Sequence, residues 1–373
     1  MNTQKLDRLI DTMSERGIPA CDLVVTRDAE QIYRRMSGFA DLERTRPVSG
    51  NDLYWCFSTS KVITCVAAMQ LVERGVISPA DRLDRYIPEF AHMKIQNRDG
   101  SLTDAQNPIL LEHLFTMTAG MTYEKKHPAL AEAMSVPGAG TVDIVRAMAQ
   151  APLIFEPGTR YRYSLCHDVL AAVVEIASGM RFSEFVQKNI FAPCDMVEIG
   201  YHPTAEQLTR FSAMYTFVNR DGTCTPRETA NPYCFTPGYE SGGAGVFTRT
   251  DEYIKMLTAL SCTGTPEGRG LLRPETVELM EVNRLCPAAL NDFVNTRLYG
   301  YGWGYCGRVH INPAYSLSLA SVGEFGWDGA AGAFAMVDRK RRTAMYFSSH
   351  IMSCGYMYRM IHPLIRNLVY EDD

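Results

Sequence analysis

Lysine is scarce in this chain, which carries 8 Lys beside 29 Arg, so any Lys in an apolar context is conspicuous. A long basic stripe is absent too, and 37 Lys plus Arg against 42 Asp plus Glu leave a net charge of −5. Nucleic acid and anionic membrane surfaces are thereby excluded as partners, because phosphate binding needs clustered cations. The one basic run, 339–342, is short and reads as a solvated turn between the apolar stretches 333–337 and 344–347. The 11 Cys contain no Cys-x-x-Cys pair and are odd in number, which argues against a zinc ribbon and against a disulfide framework. No window approaches the ~18 apolar residues of a membrane span, and residues 1–7 lack the apolar core of a signal peptide. Reduced thiols in a cytoplasmic protein are the expectation. Without His-Glu-x-x-His, Gly-x-x-x-x-Gly-Lys or Gly-x-Ser-x-Gly, zincins, P-loop enzymes and α/β-hydrolases lose their main support.

What is present is an ordinary globular composition, 46% hydrophobic and 21% charged over 373 residues. That length suits two structural units or one large enzyme domain and buries a core without metal or disulfides. Leu6, Leu9, Ile10 and Met13 have helical spacing and stop at Gly17. Two strand-like runs, 21–26 and 31–37, flank Asp28-Ala29-Glu30 as a hairpin. Residues 58–74 are apolar almost all round and stop at Gly75, which predicts a buried helix. From 81 to 284 the pattern is mostly helical; after 298 it alternates, predicting strands at 316–322, 333–337 and 343–348. A closing helix at 357–370 is interrupted or kinked at Pro363. Strands at both ends imply one sheet built from the two termini, with a helical insertion between them.

The chemistry-bearing candidate is Ser58-Thr59-Ser60-Lys61, a Ser-x-x-Lys at the start of the buried helix. With 20 Ser and 8 Lys, about 0.4 such pairs arise by chance, so the pattern alone decides nothing. Its place adds weight. Residues i and i+3 share a helix face, and the helix N-terminus brings free N–H groups and positive potential beside the hydroxyl. Burial favours a neutral amine, which can accept a Ser proton. The competing structural reading has Ser58 as an N-cap and Lys61 reaching to water.

A second constellation, Glu156-Pro157-Gly158 followed by Tyr161-Arg162-Tyr163-Ser164-Leu165, precedes an apolar helix that ends at Gly179. With the elements Leu110-Leu111-Glu112-His113-Leu114-Phe115-Thr116-Met117-Thr118-Ala119-Gly120-Met121, Gly242-Gly243-Ala244-Gly245, Gly300-Tyr301-Gly302-Trp303-Gly304 and Trp327-Asp328-Gly329-Ala330, the chain resembles the serine β-lactamase and penicillin-binding-protein superfamily. It is most similar to class C β-lactamases and family VIII carboxylesterases, over nearly its whole length. The resemblance implies an α/β (α+β) fold: an antiparallel sheet flanked by helices, from 1–76 and 290–373, and a mainly helical part, 77–289, with the site between them. It implies Ser58 as nucleophile, Lys61 as base, and Tyr163 as the proton relay, Tyr161 being a nearby rival. The N–H groups of Ser58 and Ala330 become the oxyanion hole.

Two departures bear on substrate. Leu165 stands where β-lactamases carry an Asn for the substrate amide, and Trp327 where they carry a Lys for its carboxylate. Leu165, Trp327, Asp328 and Gly329 are thus expected to line a pocket for neutral, fairly apolar esters, Asp328 at most making a polar contact at its rim. The expected activity is serine hydrolysis of small-molecule esters with no cofactor and no metal. Open alternatives are a β-lactamase or D-amino-acid peptidase acting on an amide, an acyltransferase using the same acyl-enzyme, and an inactive ligand-binding protein. Oligomeric state is not readable.

Overall fold

The structure is a computed structural model that describes residues 1–371 except 124, 219–221 and 297. Seven strands form its main sheet: β1 (Ala20–Arg27), β2 (Glu30–Gly38), β3 (Tyr301–Gly304), β4 (Gly307–His310), β5 (Phe325–Gly326), β6 (Phe334–Asp338) and β7 (Thr343–Ser349). Their order is β3-β4-β5-β6-β7-β1-β2, antiparallel throughout. The chain ends meet where β1 pairs with β7, from Cys21 opposite Ser349 to Arg27 opposite Thr343. The β1–β2 connection is the expected hairpin: Asp28 and Ala29 both have positive φ, 50° and 66°, as a two-residue turn matched to strand twist requires.

Five helices matter for the site: α1 (Thr3–Asp11), α2 (Ser60–Glu73), α3 (Cys166–Ser178), α4 (Thr250–Ser261) and α5 (His362–Tyr370). The sheet is buried on both faces, and alternate residues explain how. Leu23, Val25, Phe334, Met336, Met345 and Phe347 join α1 and α5 in one core. Val24, Ala335, Val337, Ala344 and Tyr346 join α2, α3 and α4 in the other. A strand covered on both faces reads as a continuous apolar run, hence Leu23-Val24-Val25. Helix α4 falls within 77–289, yet it lies on the sheet, stacking Tyr253 on Tyr346 at 4.1 Å between ring centroids.

Several expectations change. Residues 316–322 form no strand: a short helix, Pro313–Ser316, ends at Leu317 with φ of 55°, and Leu317 and Leu319 are exposed. The serines turn inward instead, Ser316 Oγ meeting His310 Nε2 at 2.7 Å and the Ser318 N–H at 3.1 Å. Within the helical stretch lie two hairpins, Lys94–Gln96 with Leu102–Asp104 and Met214–Val218 with Thr223–Arg227. The closing helix opens with a π-turn, Met357–Ile361, before α5, with Pro363 in the first turn where its missing N–H costs nothing. Gly302, Gly304 and Gly307 have the spacing of a dinucleotide-binding turn, but they join two antiparallel strands and open no helix. No helix among the described residues is long and apolar enough to cross a membrane.

His350, just beyond β7, braces the segment leading to Ser58. Its Nε2 accepts from the Trp55 N–H at 2.7 Å and its Nδ1 faces the Ser212 carbonyl at 2.8 Å, an arrangement that requires the neutral ring. Burial pushes its pKa down from 6.5 to about 4. The unfolded chain therefore binds this proton first as pH falls. Stability is fully present above pH 6.5 and declines between 6.5 and about 4, by about 3 kcal/mol from this residue. Urea titrations at pH 7 and pH 4.5 should show that loss, and a His350→Gln variant, destabilised at both, should show less of it; equal pH slopes would remove His350 as the cause.

Candidate active site

The nucleophile candidate is placed by a bent entry into α2. Phe57 is buried with φ of 47°, a left-handed conformation that a bulky residue holds only where its surroundings impose it. A 3₁₀ turn, Phe57–Thr59, follows, and α2 begins at Ser60. The Thr59 carbonyl accepts from Tyr253 OH at 2.7 Å, tying this turn to α4. Ser58 is partly exposed on a cleft of about 700 Å³ and caps no helix; the N-cap position is Thr59, without a side-chain cap.

Lys61 does not reach water. It is fully buried, and its Nζ lies 2.7 Å from the Gly243 carbonyl, 3.0 Å from Tyr123 OH and 3.3 Å from Ser58 Oγ. An ammonium has three N–H groups and can donate to all three. A neutral amine keeps two for Gly243 and Tyr123 and turns its lone pair to Ser58. The same heavy-atom positions thus serve the group before and after it takes a proton.

Tyr163 lines the same cleft as Ser58. Its ring centroid is 4.8 Å from Lys61 Nζ, and its hydroxyl accepts from the Trp327 indole N–H at 2.8 Å. That bond occupies a lone pair and leaves the phenolic hydrogen free to be donated elsewhere. Tyr161 is instead packed in the core against Phe293 and Trp303. Trp327, Asp328, Gly329 and Ala330 border the cleft. A Cβ on Gly329 would overlap the Cys56 carbonyl, so glycine here lets the third element approach the nucleophile turn. The Ala330 N–H has no backbone acceptor among the described residues, while Tyr358 OH holds the carbonyls of Gly329 and Ala330 at 2.9 and 2.8 Å.

One residue lies elsewhere than expected. Leu165 does not reach the Ser58 cleft: as N-cap of α3 it turns into the core and faces a separate small cavity with Met93, Met121 and Leu153. Asp328 borders the cleft, its carboxylate 3.4 Å from Arg308 and 3.3 Å from His362 Nδ1, both of which line the same cleft. Burial raises its carboxyl, but Arg308 and His362 outweigh that and hold it below its ordinary value.

Three contributors were not singled out from sequence. Tyr123 touches Lys61 directly, and burial with the neighbouring phenols pushes its pKa well above the ordinary value, keeping it protonated. Gly243 supplies the carbonyl, and the Gly242-Gly243-Ala244-Gly245 run was the available signal. Asp168 stands behind that loop. His167, beneath the site, is driven to about 3 by burial and by the Lys61 charge, so it is neutral near pH 7.

Together these groups set a serine hydroxyl beside a buried lysine amine one helical turn on, an arrangement that can activate a serine for acyl transfer. The chain belongs to the Beta-lactamase family, whose family model matches residues 6–354. It is 30% identical over 360 residues to esterase EstB of Burkholderia gladioli, covering 90% of this chain and 87% of that protein. It is also 30% identical over 233 residues to acyltransferase mokF of Monascus pilosus, covering 60% and 55% respectively. Among solved structures, EstCE1, a hydrolase with promiscuous acyltransferase activity, superposes with a TM-score of 0.81 at 23% identity over 99% of this chain and 98% of that one.

Proposed function

We propose that this protein is a serine hydrolase that cleaves carboxylic esters of small molecules through an acyl-enzyme on Ser58. The observation that carries the reading is the buried Lys61 amine, 3.3 Å from Ser58 Oγ, with the Trp327 indole in place of a Lys at the head of the third element. Lys61 takes the Ser58 proton as Oγ bonds to the ester carbonyl carbon. The N–H groups of Ser58 and Ala330 hold the oxyanion, and Tyr163 delivers a proton to the departing alkoxide and regains one from the Lys61 ammonium, which leaves the amine neutral again. Water then attacks the acyl-enzyme, returning Ser58 and a carboxylic acid. The eleven free thiols support a cytoplasmic setting for this chemistry.

Trp327 is the ground for preferring esters to β-lactams. A lactam carboxylate seeks a cation beside the oxyanion strand, and the Trp327 N–H is already committed to Tyr163. Similarity to mokF supports a second reading in which an alcohol replaces water as acceptor of the acyl group. The test is a panel of p-nitrophenyl acetate and butyrate beside nitrocefin, on wild type and Ser58→Ala. Ester turnover should exceed lactam turnover by about 100-fold or more, by analogy with sites that leave a polar substrate group unpaired. Comparable nitrocefin turnover would sink the ester preference, and ester products formed with added alcohols would establish acyl transfer.

A further inference from the structure

Asp168 lies in the first turn of α3, five residues beyond Tyr163, and is 1% exposed. Its Oδ1 accepts from Tyr239 OH at 2.7 Å, Ser241 Oγ at 2.5 Å and the Gly243 N–H at 3.4 Å. Its Oδ2 is buried with no hydrogen-bond partner among the described residues. A carboxylate oxygen in that state is costly unless a charge nearby answers it.

Gly243 shows what that charge is. A Cβ placed there would overlap Asp168 Oδ2 and stand 3.3 Å from Lys61 Nζ, so the carboxylate and the amine both crowd the same side of the Gly243 backbone with no room for a methyl between them. The groups facing Lys61 come from four elements. Ser58 and Cys65 belong to its own helix and the turn before it; Tyr123 comes from the loop beyond Leu111–Phe115; Tyr163, Cys166, His167 and Asp168 come from α3 and its approach; Gly243 comes from the glycine loop. Burial holds the Cys65, Cys166 and Tyr123 protons in place and His167 neutral. Asp168 is the one carboxylate among them, and no Lys61 ion pair closer than 4.0 Å occurs among the described residues.

We propose that Asp168 is a positioning residue for the Lys61 base: it fixes the Ser241–Gly243 loop whose carbonyl holds the amine, and its charge stabilises the ammonium formed during acylation. The inference rests on the Ser58–Lys61 reading above. In the step concerned, the Ser58 O–H bond breaks, an N–H bond forms on Lys61, and the Oγ electron pair bonds to the acyl carbon. Asp168 exchanges no proton.

The experiment measures pH profiles of kcat/KM with p-nitrophenyl acetate, and rates of Ser58 labelling by a fluorophosphonate, for full-length wild type, Asp168→Asn and Tyr239→Phe. Asp168→Asn should lower the kcat plateau and the labelling rate by about 30- to 100-fold with KM within about twofold, while the acid limb moves to lower pH by about one unit. Tyr239→Phe removes a donor that shields the carboxylate, so its acid limb should move to higher pH, and this variant carries the test where Asp168→Asn does not fold. Failure of wild type to label would overturn the Ser58 reading and this inference with it. Labelling in wild type with an acid limb unmoved in the folded variants would overturn this inference alone, since a loop prop without electrostatic action changes only the plateau.

Discussion

Replacing Ser58 with Ala, or Lys61 with Ala, is expected to lower kcat for ester hydrolysis by about 10⁴- to 10⁶-fold in either case, and the double variant should be no slower than the slower single one. In the proposed mechanism the two groups act on one proton, so removing either leaves the other without a task. Lys61→Arg separates base from charge. A guanidinium keeps the positive charge beside Asp168 and donors for Gly243, yet it cannot give up a proton in this range, and it should be nearly as inactive as Lys61→Ala. Truncating Lys61 also leaves the buried Gly243 carbonyl without its donor, at about 1–3 kcal/mol, so thermal melts must accompany the kinetics. A folded Lys61→Ala protein retaining more than about a tenth of wild-type kcat would remove the amine as base. Tyr163, 4.8 Å from Nζ by its ring centroid, would then be the group to test.

Much of this architecture was legible because local pattern and tertiary environment agree. The β1–β2 hairpin, the all-round apolar α2 and the strands β6 and β7 are long enough for their period to show. Strands β3 and β4 are four residues each and hold three glycines between them, so no alternation could form; they exist because β5 and the core behind Trp303 accept them. The run 316–322 has the right alternation with the wrong inside: its serines bond to His310 and to backbone, and its leucines face solvent. At the site, sequence spacing brings Ser58 and Lys61 together because three residues span one helical turn. Tyr123, Asp168 and Gly243 lie far apart in the chain and converge through packing of α3 and the glycine loop against α2, which no spacing encodes. Leu165 shows the converse, since its position relative to Tyr163 is fixed but the start of α3 carries its side chain into the core.

The third element yields the other large effect. Gly329→Ala should lower kcat by about 10²- to 10³-fold, the scale of losing one oxyanion donor, although the substitution touches neither Ser58 nor Lys61. A backbone donor cannot be removed by changing its own side chain, but it can be displaced. The Gly329 backbone passes so close to the Cys56 carbonyl that a Cβ overlaps it, and the Ala333 Cβ crowds the same Cβ position at 2.9 Å. Relief requires the turn to rotate or the strand to move outward, and either carries the Ala330 N–H away from the carbonyl it would polarise. Tyr358 makes the effect separable from general unfolding, because its hydroxyl pins the Gly329 and Ala330 carbonyls from the cleft side. Tyr358→Phe should therefore lower kcat in the same direction by a smaller factor, about tenfold, with little change in thermal midpoint. A difference in size between the two variants, with KM nearly constant in both, is the signature of a displaced oxyanion donor. If folded Gly329→Ala kept wild-type kcat, the oxyanion would have to be held by groups other than Ala330, and the third element would be a wall of the cleft without a part in the chemistry.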